Sequence, residues 1–169
     1  VTDNEGDPHS PHVHGIKTVL FKGALLYHEA SKNKIMVNTY GVGTPDDWLE
    51  HNVYTAHSRL GIGILFLFNL WLFDWTGAVI WAIQMIWIPF WAAGVVNGLG
   101  HWWGYRNNET NDCSTNMVPW GVVIGGEELH NNHHDAPANP KLSRRAWEFD
   151  IGWMWFKIFE FVGLARLRT

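Results

Sequence analysis

The sequence predicts an all-α integral-membrane fold built on a transmembrane helical hairpin, and two long apolar runs carry this prediction. Residues 60–73 are apolar except for Asn69, and residues 78–96 contain one polar side chain, that of Gln84. About 20 apolar residues are needed to cross the hydrocarbon core of a bilayer. The turn-like residues 74–77 join the two runs. A pair of buried helices in a large soluble protein is the alternative, but aromatic residues surround both runs instead of occupying one face.

The composition supports a membrane location and excludes several other classes. Of the 169 residues, 47 % are hydrophobic and 12 are Trp, a residue that concentrates at bilayer boundaries. The formal net charge of −4 offers no basic surface for nucleic acid. Cys113 is the single cysteine, so an intrachain disulfide and a cysteine-based zinc site are both excluded.

Three regions follow one another along the chain. Residues 1–56 are predicted to form a cytosolic loop and helices, residues 57–101 two transmembrane helices, and residues 102–169 a cytosolic cap. The chain opens at Val1 on an acidic, turn-rich stretch without a starting Met, which is typical of the middle of a protein. We therefore expect a fragment of a longer chain.

Two further predictions concern helix ends. Thr44 or Asp46 is the candidate cap of the helix that follows the glycine-rich linker. Residues 147–167 mix aromatic side chains with charged ones and end near the basic Arg168. This pattern predicts an amphipathic C-terminal helix that lies on a surface.

The arginines predict the orientation of the hairpin. The turn at 74–77 has no Lys or Arg, whereas Arg59 precedes the hairpin and Arg106, Arg144 and Arg145 follow it. By the positive-inside rule both ends of the hairpin face the cytoplasm. The histidines beyond the hairpin are then on the cytoplasmic side.

A histidine cluster predicts a metal site in the cap. On a helix, His130, His133 and His134 fall within an arc of about 100°, so that three imidazoles project from one side. Imidazole is a ligand for iron, zinc and copper. Glu127 lies one turn before His130, where its carboxylate can accept the second ring N–H of that ligand. A solvated histidine-rich stretch is the alternative, which the fixed position between two Trp-rich segments disfavours.

Asn97 and His101 form a second candidate motif. Their i, i+4 spacing puts them on one helix face at the end of the second apolar run, where polar groups are costly and usually functional. Taken alone, this motif is explained equally well if His101 caps the helix and Asn97 forms a hydrogen bond with a neighbouring residue. His9 in the N-terminal loop and His57 at the mouth of the first membrane helix are weaker ligand candidates, for which structural roles are preferred.

Four segments together resemble the membrane fatty acyl desaturases. His130-x-x-His133-His134 resembles the third histidine box of that family, and Asn97-x-x-x-His101 is similar to the extra ligand motif at the end of its last membrane helix. Residues 6–11 resemble the segment after its second box, and residues 147–153 the stretch after its third. The third box alone is not specific, because alkane, sterol and carotenoid hydroxylases share it.

The resemblance implies half of a four-helix membrane bundle under a cytosolic cap, with two iron ions (Fe²⁺/Fe³⁺) held almost entirely by histidine. His101, His130, His133 and His134 would be direct ligands, and Asn97 would contact iron through water. The first two histidine boxes are expected upstream of Val1. This chain would then be the C-terminal half of the enzyme and inactive alone.

The implied reaction removes two hydrogens from a saturated acyl chain and leaves a cis double bond, commonly at Δ9. An alkyl C–H bond has no acidic proton, so its cleavage needs a redox cofactor. The implied partners are a fatty acyl thioester or lipid-linked acyl chain, O₂, membrane lipid, and an electron-donor protein of the ferredoxin, rubredoxin or cytochrome b5 type. A histidine-box membrane hydroxylase and a non-catalytic membrane metal-binding protein are the alternatives.

Overall fold

The computed structural model describes residues 2–43 and 45–167, so Thr44 and Arg168, which carried two of the helix-end predictions, lie outside the described residues. The described chain is mostly helical, which confirms the coarse fold class. Two wider π-helical turns accompany the α-helices. The described helices are α1 (Pro11–His14), α2 (Ile16–Ala30), α3 (Lys34–Tyr40), α4 (Leu60–Pro89), α5 (His130–Asp135) and α6 (Ile151–Phe161), and the π-helical turns are Glu50–Thr55 and Phe90–Leu99.

The chain divides into two compact units. The first unit holds the described residues of Val1–Tyr27 and Phe90–Thr169, and the second holds those of His28–Pro89. The first unit therefore contains the histidine cluster and the Asn97/His101 motif. The second contains most of the apolar sequence.

In the second unit, α4 is interrupted at Asp74, where two helical segments meet at a residue with a φ of 51°. Trp81 Nε1 donates a hydrogen bond to the carbonyl oxygen of Ile62 at 3.1 Å. The rings of Phe66 and Trp81 meet edge to face with their centroids 5.1 Å apart. Both contacts join the segment before Asp74 to the segment after it.

Within the described residues, one helical stretch, Leu60–Leu99, is long and apolar enough to cross a membrane. Only 11 % of its most apolar window is buried. Large side chains such as Trp71 and Ile86 are accordingly exposed, by 76 % and 72 %. Exposed apolar surface of this extent marks contact with lipid or with another protein surface.

Two segments that the sequence predicted as loop or linker form short helices. Ser10 Oγ accepts a hydrogen bond from the backbone N–H of His12 and caps α1. Asn33 Oδ1 accepts from the backbone N–H of Ile35 and caps α3. Ser and Asn side chains accept hydrogen bonds from the free N–H groups of a first helical turn, which allows each helix to start here. The sequence did not predict these helices, because both are too short to show apolar periodicity.

In the first unit, α2 packs closely against the second π-helical turn through two glycines. A Cβ at Gly23 would collide with the backbone of Ala93, and a Cβ at Gly94 would collide with the backbone of Leu20. Small residues allow helix backbones to approach this closely. This contact fixes α2 beside the end of the apolar helix that leads to His101.

The cap contains a feature that the all-α prediction missed. Strands β1 (Trp120–Gly121) and β2 (Phe149–Asp150) pair in parallel, with Trp120 opposite Phe149. Two-residue strands are too short to produce an alternating pattern that sequence analysis can detect. The pair joins the segment before the histidine cluster to the segment after it.

Helix α6 begins at Ile151, four residues later than the predicted tail segment. Asp150 Oδ1 accepts a hydrogen bond from the backbone N–H of Trp153, which makes Asp150 the N-cap. The other oxygen, Oδ2, accepts from the backbone N–H of Leu142 at 2.6 Å. One buried carboxylate thus ends β2, starts α6 and holds the preceding loop.

Helix α5 begins at His130, so Glu127, which lies one turn before His130 in the sequence, is outside the helix. Gly125 and Gly126 have positive φ values of 74° and 109°, which belong to a turn and not to an α-helix. Leu129 forms a β-bridge with Asn116 and has a non-helical φ of −91° and ψ of 49°, so the helix starts only after it. The short α5 presents all three histidines of the cluster.

Candidate metal centre

Three of the predicted ligands lie together in the first unit. His101 follows directly after the second π-helical turn, and His130 and His134 come from α5. One ring nitrogen from each of the three lies within 4.8 Å of the others. His101 Nε2 and His130 Nε2 lie 3.1 Å apart. His101 and His130 are each only 4 % exposed, so the cluster is largely shielded from water.

Each of these histidines has a carboxylate at its other ring nitrogen. His101 Nδ1 lies 2.7 Å from Asp3 Oδ2, and His134 Nδ1 lies 2.7 Å from Asp112 Oδ2. His130 Nδ1 lies 3.3 Å from an oxygen of Glu127, as the sequence predicted. An ionised carboxylate only accepts hydrogen bonds, so each Nδ1 is the donor and carries the proton.

The three carboxylates are held in the ionised form. Burial opposes ionisation of Asp3, but hydrogen bonds from His101, Cys113 and Ser10 outweigh it and lower the pKa of Asp3 to about 2. For Asp112 burial is likewise outweighed, by hydrogen bonds from Ser114 and His134, so its pKa lies well below the usual range. The pKa of Glu127 is also lowered against burial, chiefly by its hydrogen bond with His130.

The protonation of the rings makes the centre of the cluster attractive to a cation. Burial lowers the pKa of His130 to about 4, although the hydrogen bond with Glu127 acts in the opposite direction. This ring is therefore neutral near pH 7. With the proton on Nδ1, the Nε2 atom of His130 presents a lone pair to His101 at 3.1 Å. Two imidazole nitrogens this close, each backed by a carboxylate, match the way in which histidine ligands are oriented around a metal.

Two asparagines between the histidines anchor α5. Asn131 and Asn132 are fully buried. Asn131 Oδ1 accepts hydrogen bonds from the backbone N–H groups of Asn107 and Asn108, both at 2.9 Å. Asn132 Nδ2 donates to Glu148 Oε2 at 3.0 Å. These bonds fix both the position and the rotation of the helix that presents the rings.

Glu148 connects that anchor to the rest of the cap. Its carboxylate accepts hydrogen bonds from Tyr105 Oη at 2.7 Å and from the backbone N–H groups of Arg144 and Arg145 at 2.6 and 2.9 Å. Burial raises the pKa of Tyr105, and the hydrogen bond to Glu148 raises it further, so the hydroxyl stays a donor. Asn132 and the loop before β2 are thus tied to one carboxylate.

The remaining predicted ligands are placed differently. The ring of His133 stacks on that of His130 with centroids 5.8 Å apart, and it is outside the group of three converging nitrogens. Asn97 Nδ2 donates to the carbonyl oxygen of Ala92 at 2.9 Å. The side chain of Asn97 also lines a cavity of ≈ 160 Å³ together with His101 and His134.

His9 lines the same cavity, and His57 belongs to the second unit. Among the described residues, His9 Nε2 is buried and has no hydrogen-bond partner. Burial lowers the pKa of His9, so its ring is neutral near pH 7. His57 Nδ1 lies 3.1 Å from the carbonyl oxygen of Asn52.

Sequence reasoning found Glu127 but missed Asp3 and Asp112. Glu127 is three residues from its partner, a spacing that local patterns reveal. Asp3 and His101 are 98 residues apart, and Asp112 and His134 are 22 apart. Both aspartates lie in turn-rich stretches that predict loops. No local signal distinguishes them from other loop carboxylates.

Comparisons with known proteins give matches among curated sequences. No protein-family profile matches the chain, and no solved structure matches it. The chain is 28 % identical over 145 residues to the sn-1 stearoyl-lipid 9-desaturase of Anabaena variabilis, a match that covers 85 % of this chain and 52 % of that protein. It is 29 % identical over 171 residues to the Delta-9 acyl-lipid desaturase 2 of Arabidopsis thaliana, with 97 % and 52 % covered.

A third relative is the sn-1 stearoyl-lipid 9-desaturase of a Synechocystis species, which is 33 % identical over 119 residues and covered over 35 % of its length. This chain spans about half the length of the first two relatives, at 52 % of each. The three matches extend over 85 %, 97 % and 69 % of this chain, respectively. The predicted resemblance is thereby confirmed, and the chain belongs to the fatty acyl desaturase family.

Proposed function

We propose that the full-length protein is an O₂-dependent fatty acyl desaturase that introduces a cis double bond, at Δ9, into a saturated acyl chain. The observation that carries this proposal is the convergence of the His101, His130 and His134 ring nitrogens, each ring backed by a carboxylate. The names of the matched relatives, which are stearoyl-lipid and acyl-lipid 9-desaturases, support the reaction and its position on the chain.

The donor set fits iron as the metal. Neutral imidazoles bind iron, zinc and copper, and the described cluster offers no thiolate among its three converging ligands. We propose that the site binds a pair of irons. These three histidines and His133 would supply some of the ligands directly, and Asn97 would contact iron through water. His9, which lines the same cavity and has a buried Nε2, is a further candidate ligand. The other ligands would come from histidine boxes outside this chain.

The side chains of this chain orient, shield and tune the site. Iron bound here would supply the capacity to activate O₂ for cleavage of an unreactive C–H bond, which no amino-acid side chain provides. Asp3, Asp112 and Glu127 accept hydrogen bonds from the Nδ1–H groups, and so direct the Nε2 lone pairs. The buried asparagines keep α5 from rotating. Two electrons per turnover would come from a donor protein of the ferredoxin, rubredoxin or cytochrome b5 type.

The membrane part of the proposal is a hairpin of two crossing helices that forms half of a four-helix bundle. In a straight α-helix, Ile62 and Trp81, which are 19 residues apart, would be separated by roughly 28 Å. Their hydrogen bond at 3.1 Å therefore supports a reversal of the chain at Asp74. Residues 57–101 would be the membrane part, with residues 1–56 and 102–169 in the cytosol.

The distribution of arginine supports a metal centre on the cytoplasmic side of the membrane. Arg59, Arg106, Arg144 and Arg145 all lie outside the apolar segments, and the turn after Asp74 has no basic residue. The proposed substrate is a fatty acyl thioester or an acyl chain linked to lipid, and O₂ is the co-substrate. This chain alone, with about half of the ligands, is proposed to be inactive.

Expression in a host without its own desaturase tests the proposed reaction. The full-length protein should produce new cis-monounsaturated chains in the host lipids, detected by mass spectrometry. His130→Ala should abolish them, because it removes a converging ligand. His51→Ala is the matched control, since this exposed histidine also pairs with an aspartate, Asp46, and should leave the products unchanged.

The same experiment separates the alternatives. Hydroxylated lipids in place of unsaturated ones would identify a histidine-box hydroxylase. Unchanged lipids, combined with zinc instead of iron in the purified protein, would identify a non-catalytic metal-binding protein. Either result would refute the proposed desaturation.

A further inference from the structure

Asp3 has an environment unlike that of an ordinary loop carboxylate. Its side chain is only 4 % exposed, although it lies in the polar opening segment. Oδ2 accepts hydrogen bonds from His101 Nδ1 and from the backbone N–H of Cys113, both at 2.7 Å. Oδ1 accepts from Ser10 Oγ at 2.8 Å. Three donors from three different parts of the chain thus converge on this carboxylate.

The backbone around Asp3 is braced to present the carboxylate. Asp3 has a φ of 60°, a conformation that Asp tolerates better than most residues. The backbone N–H of Asp3 donates to Asp7 Oδ2 at 2.7 Å, and that of His9 donates to Asp7 Oδ1 at 2.8 Å. The Asp7 carboxylate therefore links the backbone at both sides of the turn. The position of Asp3 does not depend on His101 alone.

His101 needs this partner more than the other two histidines need theirs. His130 and His134 share α5, whose rotation is already fixed by the buried Asn131 and Asn132. His101 lies after the end of its helical stretch, and the hydrogen bond to Asp3 orients its Nδ1. Without that bond, the direction of Nε2 toward His130 depends only on the packing of the buried ring against the His130 and His134 rings.

We propose that Asp3 is the positioning residue for His101, and that through this contact the segment 2–10 controls the metal affinity of the whole cluster. The inference rests on the proposed metal centre. A residue of this kind fixes the ring tautomer and aims the lone pair of the ligand, and its loss typically weakens metal binding by about 10- to 100-fold. The carboxylate also adds a negative charge next to the cation.

The test measures metal binding to the purified full-length protein in detergent. The metal is removed and Co²⁺ is titrated back, because its visible absorption reports both the affinity and the ligand geometry. Asp3→Ala should weaken Co²⁺ binding by about 10- to 100-fold and change the spectrum of the bound ion. Asp3→Asn should fall in between, since an amide oxygen can still accept the Nδ1–H but carries no charge.

Asp46→Asn is the matched control. Asp46 also pairs with a histidine, at 2.6 Å from His51 Nε2, but both partners are exposed. This variant should bind Co²⁺ with unchanged affinity and spectrum. A second control combines Asp3→Ala with His101→Ala. If Asp3 acts through His101, its substitution has little further effect once that ring is gone.

Several outcomes would overturn the inference. The inference is refuted if Asp3→Ala binds Co²⁺ with the affinity and spectrum of the wild-type protein. It is also refuted if Asp3→Ala lowers the Co²⁺ affinity equally with and without the His101 ring, because Asp3 would then have only a general structural role. Should Asp3→Ala fail to fold, the isosteric Asp3→Asn decides, and unchanged binding there refutes a role for the carboxylate. A wild-type protein that takes up no metal would instead refute the proposed centre itself.

Discussion

Replacing Glu148 with alanine tests how the histidine helix α5 is held in place. The carboxylate accepts hydrogen bonds from five groups, and Glu148→Ala removes all of them. A buried donor left without a partner costs about 1–3 kcal/mol, so the fully buried Asn132 amide alone lowers the local free energy of unfolding by about that amount. The other four donors are only partly buried or exposed and can regain water.

Hydrogen exchange measured by mass spectrometry is the suitable assay. Even the lower figure, about 1 kcal/mol, corresponds to a roughly fivefold faster exchange of amides that open locally. The acceleration should appear in peptides that contain α5 and in those around Asn107, and the purified protein should retain less metal. Glu148→Gln should have a smaller effect, because it keeps the shape and one acceptor oxygen.

Glu29→Gln is the control for this experiment. Glu29 is also hydrogen-bonded, to Lys32, but the pair is exposed, and such surface pairs contribute little. Exchange in α5 should match that of the unaltered protein. If Glu148→Ala showed the same unchanged exchange and full metal content, α5 would not be anchored by this carboxylate, and the network would be incidental.

Three further predictions concern the pH dependence, the hairpin and a second carboxylate. Burial would raise the pKa of Glu148, but the hydrogen bonds from the backbone N–H groups of Arg144 and Arg145 outweigh burial and lower this pKa below its usual 4.5. The stabilisation of α5 by Glu148 should therefore be complete above pH 4.5 and be lost as the pH falls through the lowered pKa. The difference in hydrogen exchange between the unaltered protein and Glu148→Gln should narrow over the same pH range. Gly77→Ala should reduce the yield of folded protein in a fluorescence size-exclusion assay, because a methyl there overlaps the backbone carbonyl of Asn69, whereas Gly61→Ala, with open space around it, should not. Asp112→Asn should weaken Co²⁺ binding through His134, but by less than Asp3→Asn does, because α5 already holds the His134 ring, and unaltered binding would refute that role.

The sequence predicted those parts of the site that depend on short spacing. His130 and His134 are one helical turn apart, and Glu127 is three residues from His130, so helical geometry alone indicates that they can meet. The hydrophobic runs predicted an apolar helical stretch because membrane crossing sets a minimum length. Helix ends were less accurate, since α6 starts at Ile151, four residues after the predicted start of the tail segment.

The rest depends on contacts between distant segments. The pairing of Asp3 with His101 joins residues 98 apart, which no periodicity encodes. The role of Asn131 and Asn132 was also hidden, because residues between ligands in a motif are read as spacers until their partners are known. Here both are buried anchors, which gives a physical reason for amides between the histidines.

Iron analysis of the full-length protein tests the central claim most directly. X-ray absorption at the iron edge, with metal quantified per chain, should give two irons whose nearest ligands are mostly nitrogen. His101→Ala, His130→Ala and His134→Ala should each lower the iron content, while His51→Ala should not. Iron that stays fully bound after removal of all three rings, or a protein without iron, would contradict a metal centre built on these histidines.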